Sequence, residues 1–228
     1  MREIDKAKTK SKIPIRGKVF FLILFISGLF AFTQEAKESS TNQSEMMSRM
    51  DQSALRLFVN ARQPMLSEVA IDLTALGSIS VLFFLVLVFV IFFFLKQKNA
   101  MALQLLFSAL GSALLTTILK FTVEIARPPE SARFITVEGF SYPSGHSLSA
   151  AAIYSTLAVL LCENFGSKTL QIFIRIVFGA LIIMIALSRL YLGLHYVSDV
   201  AGGLAIGASW AFLLNWLFDA YNEKYYFF

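Results

Sequence analysis

The chain of 228 residues contains two histidines. Each sits among charged and small residues beside a long apolar run, in Ser144-Gly145-His146 and in Ser188-Arg189…His195…Asp199. Imidazole exchanges protons near neutrality, so placing both copies at the polar edges of apolar runs points to enzyme chemistry at a membrane surface. His195 and Asp199 are spaced i, i+4, and a helical stretch would put the carboxylate beside the ring. A carboxylate on one ring nitrogen fixes the tautomer and leaves the other nitrogen free to attack; the plain alternative is an interfacial hydrogen-bonded pair. Ser144-Gly145-His146 follows Pro143 at the start of a span. Free N–H groups at a helix start, with glycine permitting close approach, form an anion site, unless Ser144 is simply an N-cap and His146 interfacial. Lys120 and Arg127 are two helical turns apart, so on one helix they point the same way with about 10 Å of rise between them. Pro128-Pro129 should end that helix at Arg127. One such cation at a helix end would more simply snorkel to lipid phosphate, but Arg189 adds a third on the same face. Three cations, an anion-cradling turn and two histidines suit phosphoryl transfer: hold the oxyanion, attack phosphorus, protonate the leaving oxygen. No cluster of carboxylates surrounds the histidines, so no metal site is expected.

These residues must be positioned by elements that live in lipid. With 57% hydrophobic residues, 15% charged residues and 23 phenylalanines, the chain is too apolar for an ordinary soluble domain. A spanning helix needs about 20 apolar residues. Leu73 to Leu95, Asn99 to Leu119, Tyr142 to Cys162, Leu170 to Leu190 and Val200 to Phe218 meet that length, and the shorter Val19 to Thr33 makes a sixth span. A cleaved signal peptide is the rival reading of Val19 to Thr33, because a basic arm precedes it. Lysines and arginines place the arm of residues 1–18, Lys96, Lys98, Lys168 and Lys224 on the cytoplasmic side, with both termini. The opposite, outer face then receives the Gln34 to Glu68 segment, the Phe121 to Ser141 loop and Tyr191 to Asp199, and with them the reactive residues.

One membrane domain over residues 1–228 is expected, with residues 34–69 as an extracytoplasmic connector: either an interfacial amphipathic helix or a solvated segment. The net charge of +5 comes largely from the basic arm and implies contact with anionic lipid headgroups rather than nucleic acid. Cys162 is alone, cannot form an internal disulfide and reads as a buried, inert thiol. Gly203-x3-Gly207 with Ala208 reads as a close helix contact within the bundle rather than a dimer seam. Arg133 and Glu138, in the loop before Ser141, either tune headgroup choice or are ordinary solvated charges.

The spacing Lys120-x6-Arg127-Pro128, then Pro143-Ser144-Gly145-His146, then Ser188-Arg189-x5-His195-x3-Asp199 resembles the three-part signature of the type 2 phosphatidic acid phosphatase (PAP2) superfamily. The resemblance implies an all-α bundle of six transmembrane helices. It implies that His195 is the nucleophile and forms a phosphohistidine, that Asp199 orients it, and that His146 protonates the leaving oxygen and later activates water. Lys120, Arg127, Ser144, Gly145 and Arg189 would hold phosphate oxygens, with no metal or other cofactor. The implied substrates are lipid phosphates of a bacterial cell membrane, such as phosphatidylglycerol phosphate, undecaprenyl pyrophosphate or phosphatidate. Two other readings use the same residues: a phosphotransferase delivering to another alcohol, and a non-catalytic lipid-binding or transport protein. The second has no use for a nucleophile.

Overall fold

A computed structural model describes residues 45–225, with side chains from residue 49 to residue 220. The basic arm and the Val19 to Thr33 run lie outside the described residues. Among the described residues seven helices follow one another: α1 (Glu45–Asn60), α2 (Pro64–Ala75), α3 (Ile79–Leu95), α4 (Asn99–Val123), α5 (Gly145–Asn164), α6 (Lys168–Tyr191) and α7 (Val197–Tyr225), with a 3-10 turn at Glu130–Ala132 between α4 and α5. Helices α4 to α7 are each long and apolar enough to cross a bilayer. The chain is a multi-pass membrane protein.

The uncharged run from Leu73 to Leu95 is not one straight span. It breaks between α2 and α3, which meet at 46°. Ser78 takes an extended backbone and its hydroxyl accepts the N–H of Val81 at 3.3 Å, an N-cap that restarts the helix. Gly77 sits at the bend because nothing larger fits: a Cβ there would lie 2.7 Å from Ile185 Cγ2 and 3.3 Å from the His146 ring. Apolarity registers the length of such a run but not its caps, so the bend was invisible in the pattern.

Helix α4 also stops short of its expected end. It finishes at Val123, where Glu124 turns left-handed at φ 56° and donates its N–H to Lys120 O. Lys120 is therefore helical while Arg127 lies in the following loop, correcting the expectation of one helix through both.

Helix α5 is the hub of the bundle. Leu148, Ala150, Ala151, Ala152, Ile153, Leu157 and Leu160 are buried along it, and it packs on α4, α6 and α7. Its small residues let α7 come close. A Cβ on Gly203 would lie 2.7 Å from Ser144 O, and one on Gly207 would lie 2.9 Å from the Ala151 Cβ and collide with Leu148 O. The Gly203-x3-Gly207 pair thus makes a contact within the bundle. Phe83, Phe84, Phe107, Phe173 and Phe212 are exposed on the outside, where lipid tails would lie. Cys162 is buried and free.

The connector of residues 34–69 contains an amphipathic helix, α1. Asp51, Ala54, Leu55, Phe58 and Val59 are its half-buried stripe, at the i, i+3, i+4, i+7 spacing of a helix face. That stripe rests on protein: Phe58 packs against Ala186 and Leu190 of α6 and Val200 of α7.

Candidate active site

The polar residues collect at one end of the bundle, where α4 ends, α5 begins and α6 turns into α7. The turn depends on glycine. Gly193 adopts φ 68°, its N–H donates to Leu190 O and the N–H of Leu194 reaches Arg189 O, the paired bonds of a Schellman close. A Cβ on Gly193 would collide with Ala132 O, so both the left-handed backbone and the close approach require it. This turn presents His195 just before α7.

His195 and Asp199 are consequently not on one helix, yet they meet. Nδ1 of His195 lies 3.4 Å from Asp199 Oδ2. The same Oδ2 accepts the Ser141 hydroxyl at 2.5 Å and the N–H of Tyr196 at 2.8 Å. The last bond is half of a capping box, a side chain on the first turn reaching back to the N–H that precedes it. Local helix capping thereby fixes the carboxylate that faces the imidazole.

The other ring nitrogen, Nε2, lies 3.2 Å from Arg127 Nη1. A guanidinium only donates, so Nε2 carries a lone pair and the proton sits on Nδ1, facing Asp199. His195 is 2% exposed. Burial first, then Arg189, Arg127 and Lys120, hold its pKa well below the usual 6.5, so the ring is neutral at pH 7. A buried, neutral imidazole with an aimed lone pair is the form a nucleophile needs.

The cations are held by neutral partners. Arg127 donates from Nε to Gly139 O at 3.0 Å and from Nη1 to Leu194 O at 3.0 Å. Lys120 Nζ donates to Phe140 O. Arg189, 4% exposed, donates from Nη1 to Thr74 Oγ1 at 2.8 Å, while its Nε is buried without a partner. None of the three is neutralised by a carboxylate contact among the described residues, so their positive field is available to an anion.

The start of α5 faces this field. Ser144 is the N-cap: its Oγ accepts the Ser147 hydroxyl at 3.0 Å and the Ser147 N–H at 3.5 Å, and its own N–H donates to Asp199 O. Ser144 is therefore the N-cap of α5. The first-turn amides of Gly145 and His146 have no intrahelical acceptor, as at any helix start. Gly145 also serves packing, since a Cβ there would lie 3.1 Å from Thr116 Cγ2.

The profile of the PAP2 superfamily matches residues 101–223. The chain belongs to the PAP2 superfamily. The sequence of this PAP2 protein is 34% identical over 217 residues to phosphatidylglycerophosphatase B of Bacillus subtilis, spanning 92% of this chain and 95% of that protein. The crystal structure of the PAP2-type phosphatidylglycerolphosphate phosphatase from Bacillus subtilis superposes with a TM-score of 0.76 at 30% identity, covering 87% of this chain and 96% of that one. A lipid A 1-phosphatase of Rhizobium johnstonii is 34% identical over 120 residues, 49% of this chain and 45% of that protein.

In this PAP2 chain, Lys120, Arg127, Ser144, Gly145, His146, Arg189, His195 and Asp199 all gather at this one end. Two residues of the site were not singled out from the sequence. Ser141 bonds Asp199 and lies 3.3 Å from His195 Nδ1, yet a lone serine before Tyr142-Pro143 carries no signal. Thr74, near the end of α2 just before the break, accepts from Arg189, and it was hidden inside an apolar run. Arg133 ties its own loop together, donating to Pro128 O at 2.6 Å and Val137 O at 3.3 Å; Glu138 is exposed.

Proposed function

We propose that this PAP2 protein removes the terminal phosphate of membrane lipid phosphates through a phosphohistidine on His195, with phosphatidylglycerol phosphate as the foremost substrate. The observation that carries this reading is the His195 ring, gripped at Nδ1 by Asp199 and presenting Nε2 among Lys120, Arg127 and Arg189. The near full-length similarity to phosphatidylglycerophosphatase B supports the substrate.

In the first half-reaction Nε2 bonds to phosphorus as the bond from phosphorus to the lipid oxygen breaks. His146, which takes up a proton from solvent as the phosphate dianion offsets the cations around it, gives that proton to the lipid oxygen, and the guanidinium, ammonium and α5 amide groups hold the equatorial oxygens. As Nε2 becomes substituted, the positive charge on the ring is offset by Asp199. In the second half-reaction neutral His146 takes a proton from water, the water oxygen bonds to phosphorus, and the Nε2–P electron pair returns to the ring, releasing inorganic phosphate. The charge stabilisation that a divalent cation supplies in other phosphoryl-transfer sites falls to Lys120, Arg127 and Arg189, so activity is expected to survive EDTA. The distribution of flanking lysines and arginines supports an outer-face position for this end of the bundle.

A tailed substrate fits the surroundings. An apolar groove of about 370 Å³ lies between α3, α4 and α5, lined by Ile79, Ala113, Val90, Leu106 and Ser149, the last about one turn along α5 from His146. Ala113→Trp should fill it by steric clash. The expected result is a fall in kcat/KM for a long-chain lipid phosphate of at least about tenfold, or about 1.4 kcal/mol, with hydrolysis of p-nitrophenyl phosphate unchanged. Equal loss on both substrates would mean that the groove does not hold the tail.

The low pKa of His195 sets the pH dependence. Protonation removes the Nε2 lone pair, so the rate of phosphoenzyme formation stays high until pH falls through the lowered value, and its acid limb lies below pH 6.5. Arg127→Gln removes one of the charges that depress the ring, and moves the limb up toward 6.5. Single-turnover rates against pH for the two proteins on one substrate isolate the enzyme group; coincident limbs would contradict the assignment. The activity itself is tested by phosphate release from a panel of purified lipid phosphates and pyrophosphates, with no added alcohol acceptor. Release identifies a hydrolase, and turnover only with an acceptor identifies a transferase.

A further inference from the structure

The start of α7 is gripped by two carboxylates. Inside the pocket Asp199 holds His195. A second carboxylate arrives from α1: Asp51 accepts the Ser198 N–H at 3.0 Å and the Ser198 hydroxyl at 2.6 Å. Ser198 is on the first turn of α7, where N–H groups have no intrahelical acceptor, so Asp51 supplies from 147 positions away the cap that the helix start lacks. A carboxylate at this place also complements the positive end of the helix dipole.

The same segment grips the turn that carries the nucleophile. Beyond α1, Arg62 donates from Nε to Tyr191 O at 3.1 Å and from Nη2 to Ala132 O at 2.6 Å, while the Gln63 N–H donates to the Tyr191 hydroxyl at 2.9 Å. Phe58 packs on Ala186, Leu190 and Val200. Asp51 and Arg62 thus hold the Tyr191 to Asp199 stretch at its two ends. The His195–Asp199 separation of 3.4 Å is at the long limit of a hydrogen bond, so a small rotation of the α7 start breaks it.

We propose that Asp51 is a positioning residue for phosphoryl transfer, clamping the first turn of α7 from α1 through Ser198 so that Asp199 holds His195 in its attacking orientation. The proposal rests on the reading of His195 as nucleophile. It acts through geometry, and misplacement of a reacting group by about 1 Å is worth about a hundredfold in rate.

The test compares wild type, Asp51→Ala, Asp51→Asn and Ser198→Ala in the full-length protein in detergent. Phosphoenzyme formation is followed in a single turnover with terminally labelled phosphatidylglycerol phosphate, beside steady-state kcat and KM and thermal unfolding. Asp51→Ala is expected to slow phosphoenzyme formation and kcat by about tenfold to a hundredfold with KM unchanged. Asp51→Asn keeps an oxygen for the Ser198 N–H and restores most of the rate; Ser198→Ala, which keeps its backbone N–H, falls between and remains informative if Asp51→Ala does not fold. A lowered melting temperature with wild-type formation rates, a change in KM alone, or an Asp51→Asn protein as slow as Asp51→Ala would overturn the clamp. If wild type itself places no label on His195, the nucleophile assignment fails, a result distinct from normal labelling at unchanged rates in the Asp51 variants.

Discussion

His195→Ala is expected to lower turnover by at least about 10⁴-fold, the scale on which loss of a covalent nucleophile is felt, while the protein keeps its fold. The two hydroxyls nearest the ring and the α5 start are already engaged. The Ser141 hydroxyl is committed to Asp199 and that of Ser144 accepts from Ser147. The fold survives because Asp199 Oδ2 retains its bonds from Ser141 and Tyr196, so the carboxylate is not left bare. The cost is the packing of one buried ring and its hydrogen bonds to Asp199 and Arg127, on the order of 1–3 kcal/mol. Phosphate release and thermal unfolding of the same detergent preparation check both halves. Residual turnover above about 1% of wild type in a folded variant would mean that another group attacks.

His146→Gln is expected to cost about 10²–10⁴-fold on lipid phosphates, the usual contribution of a positioned acid and base, but with a leaving-group signature. A lipid alkoxide needs a proton as it departs; p-nitrophenolate does not. With p-nitrophenyl phosphate the variant should form phosphoenzyme at close to the wild-type rate and then stall, because the water step still lacks its base. A burst of nitrophenolate followed by a slow phase shows this, whereas an equal loss in both phases on both substrates would reduce His146 to a structural residue. The ring packs against Gly77 at the α2–α3 bend. Gly77→Ala would therefore disturb the same step without removing the imidazole.

Much of the bundle was readable because a bilayer imposes a length. The runs Asn99 to Leu119, Tyr142 to Cys162, Leu170 to Leu190 and Val200 to Phe218 fall on α4, α5, α6 and α7 with ends displaced by a few residues. The ends moved for local reasons. A left-handed Glu124 stops α4, and Asp199 and Asp51 cap a helix that starts at Val197. The bend at Gly77 and Ser78 was unreadable because hydrophobicity is continuous across it; the cause is the tight approach of His146 and Ile185 from other helices. The charged and imidazole residues of the site announced themselves, since lipid makes each of them costly unless used. Their neutral supports did not. Ser141 and Thr74 carry common hydroxyls whose meaning depends on the path of a loop and on a bend. Asp51 lies in a segment of mixed periodicity, where one acidic residue among several has no mark of its own.

The central claim is covalent, and trapping the intermediate tests it most directly. Wild-type protein mixed with terminally labelled phosphatidylglycerol phosphate, quenched in alkali within milliseconds and digested, should yield label on the peptide containing His195, stable to base and lost in acid. The label should be absent from His195→Ala and enriched in His146→Gln. Label on any other residue, or full-rate phosphate release with no labelled protein at any quench time, would contradict the phosphohistidine account.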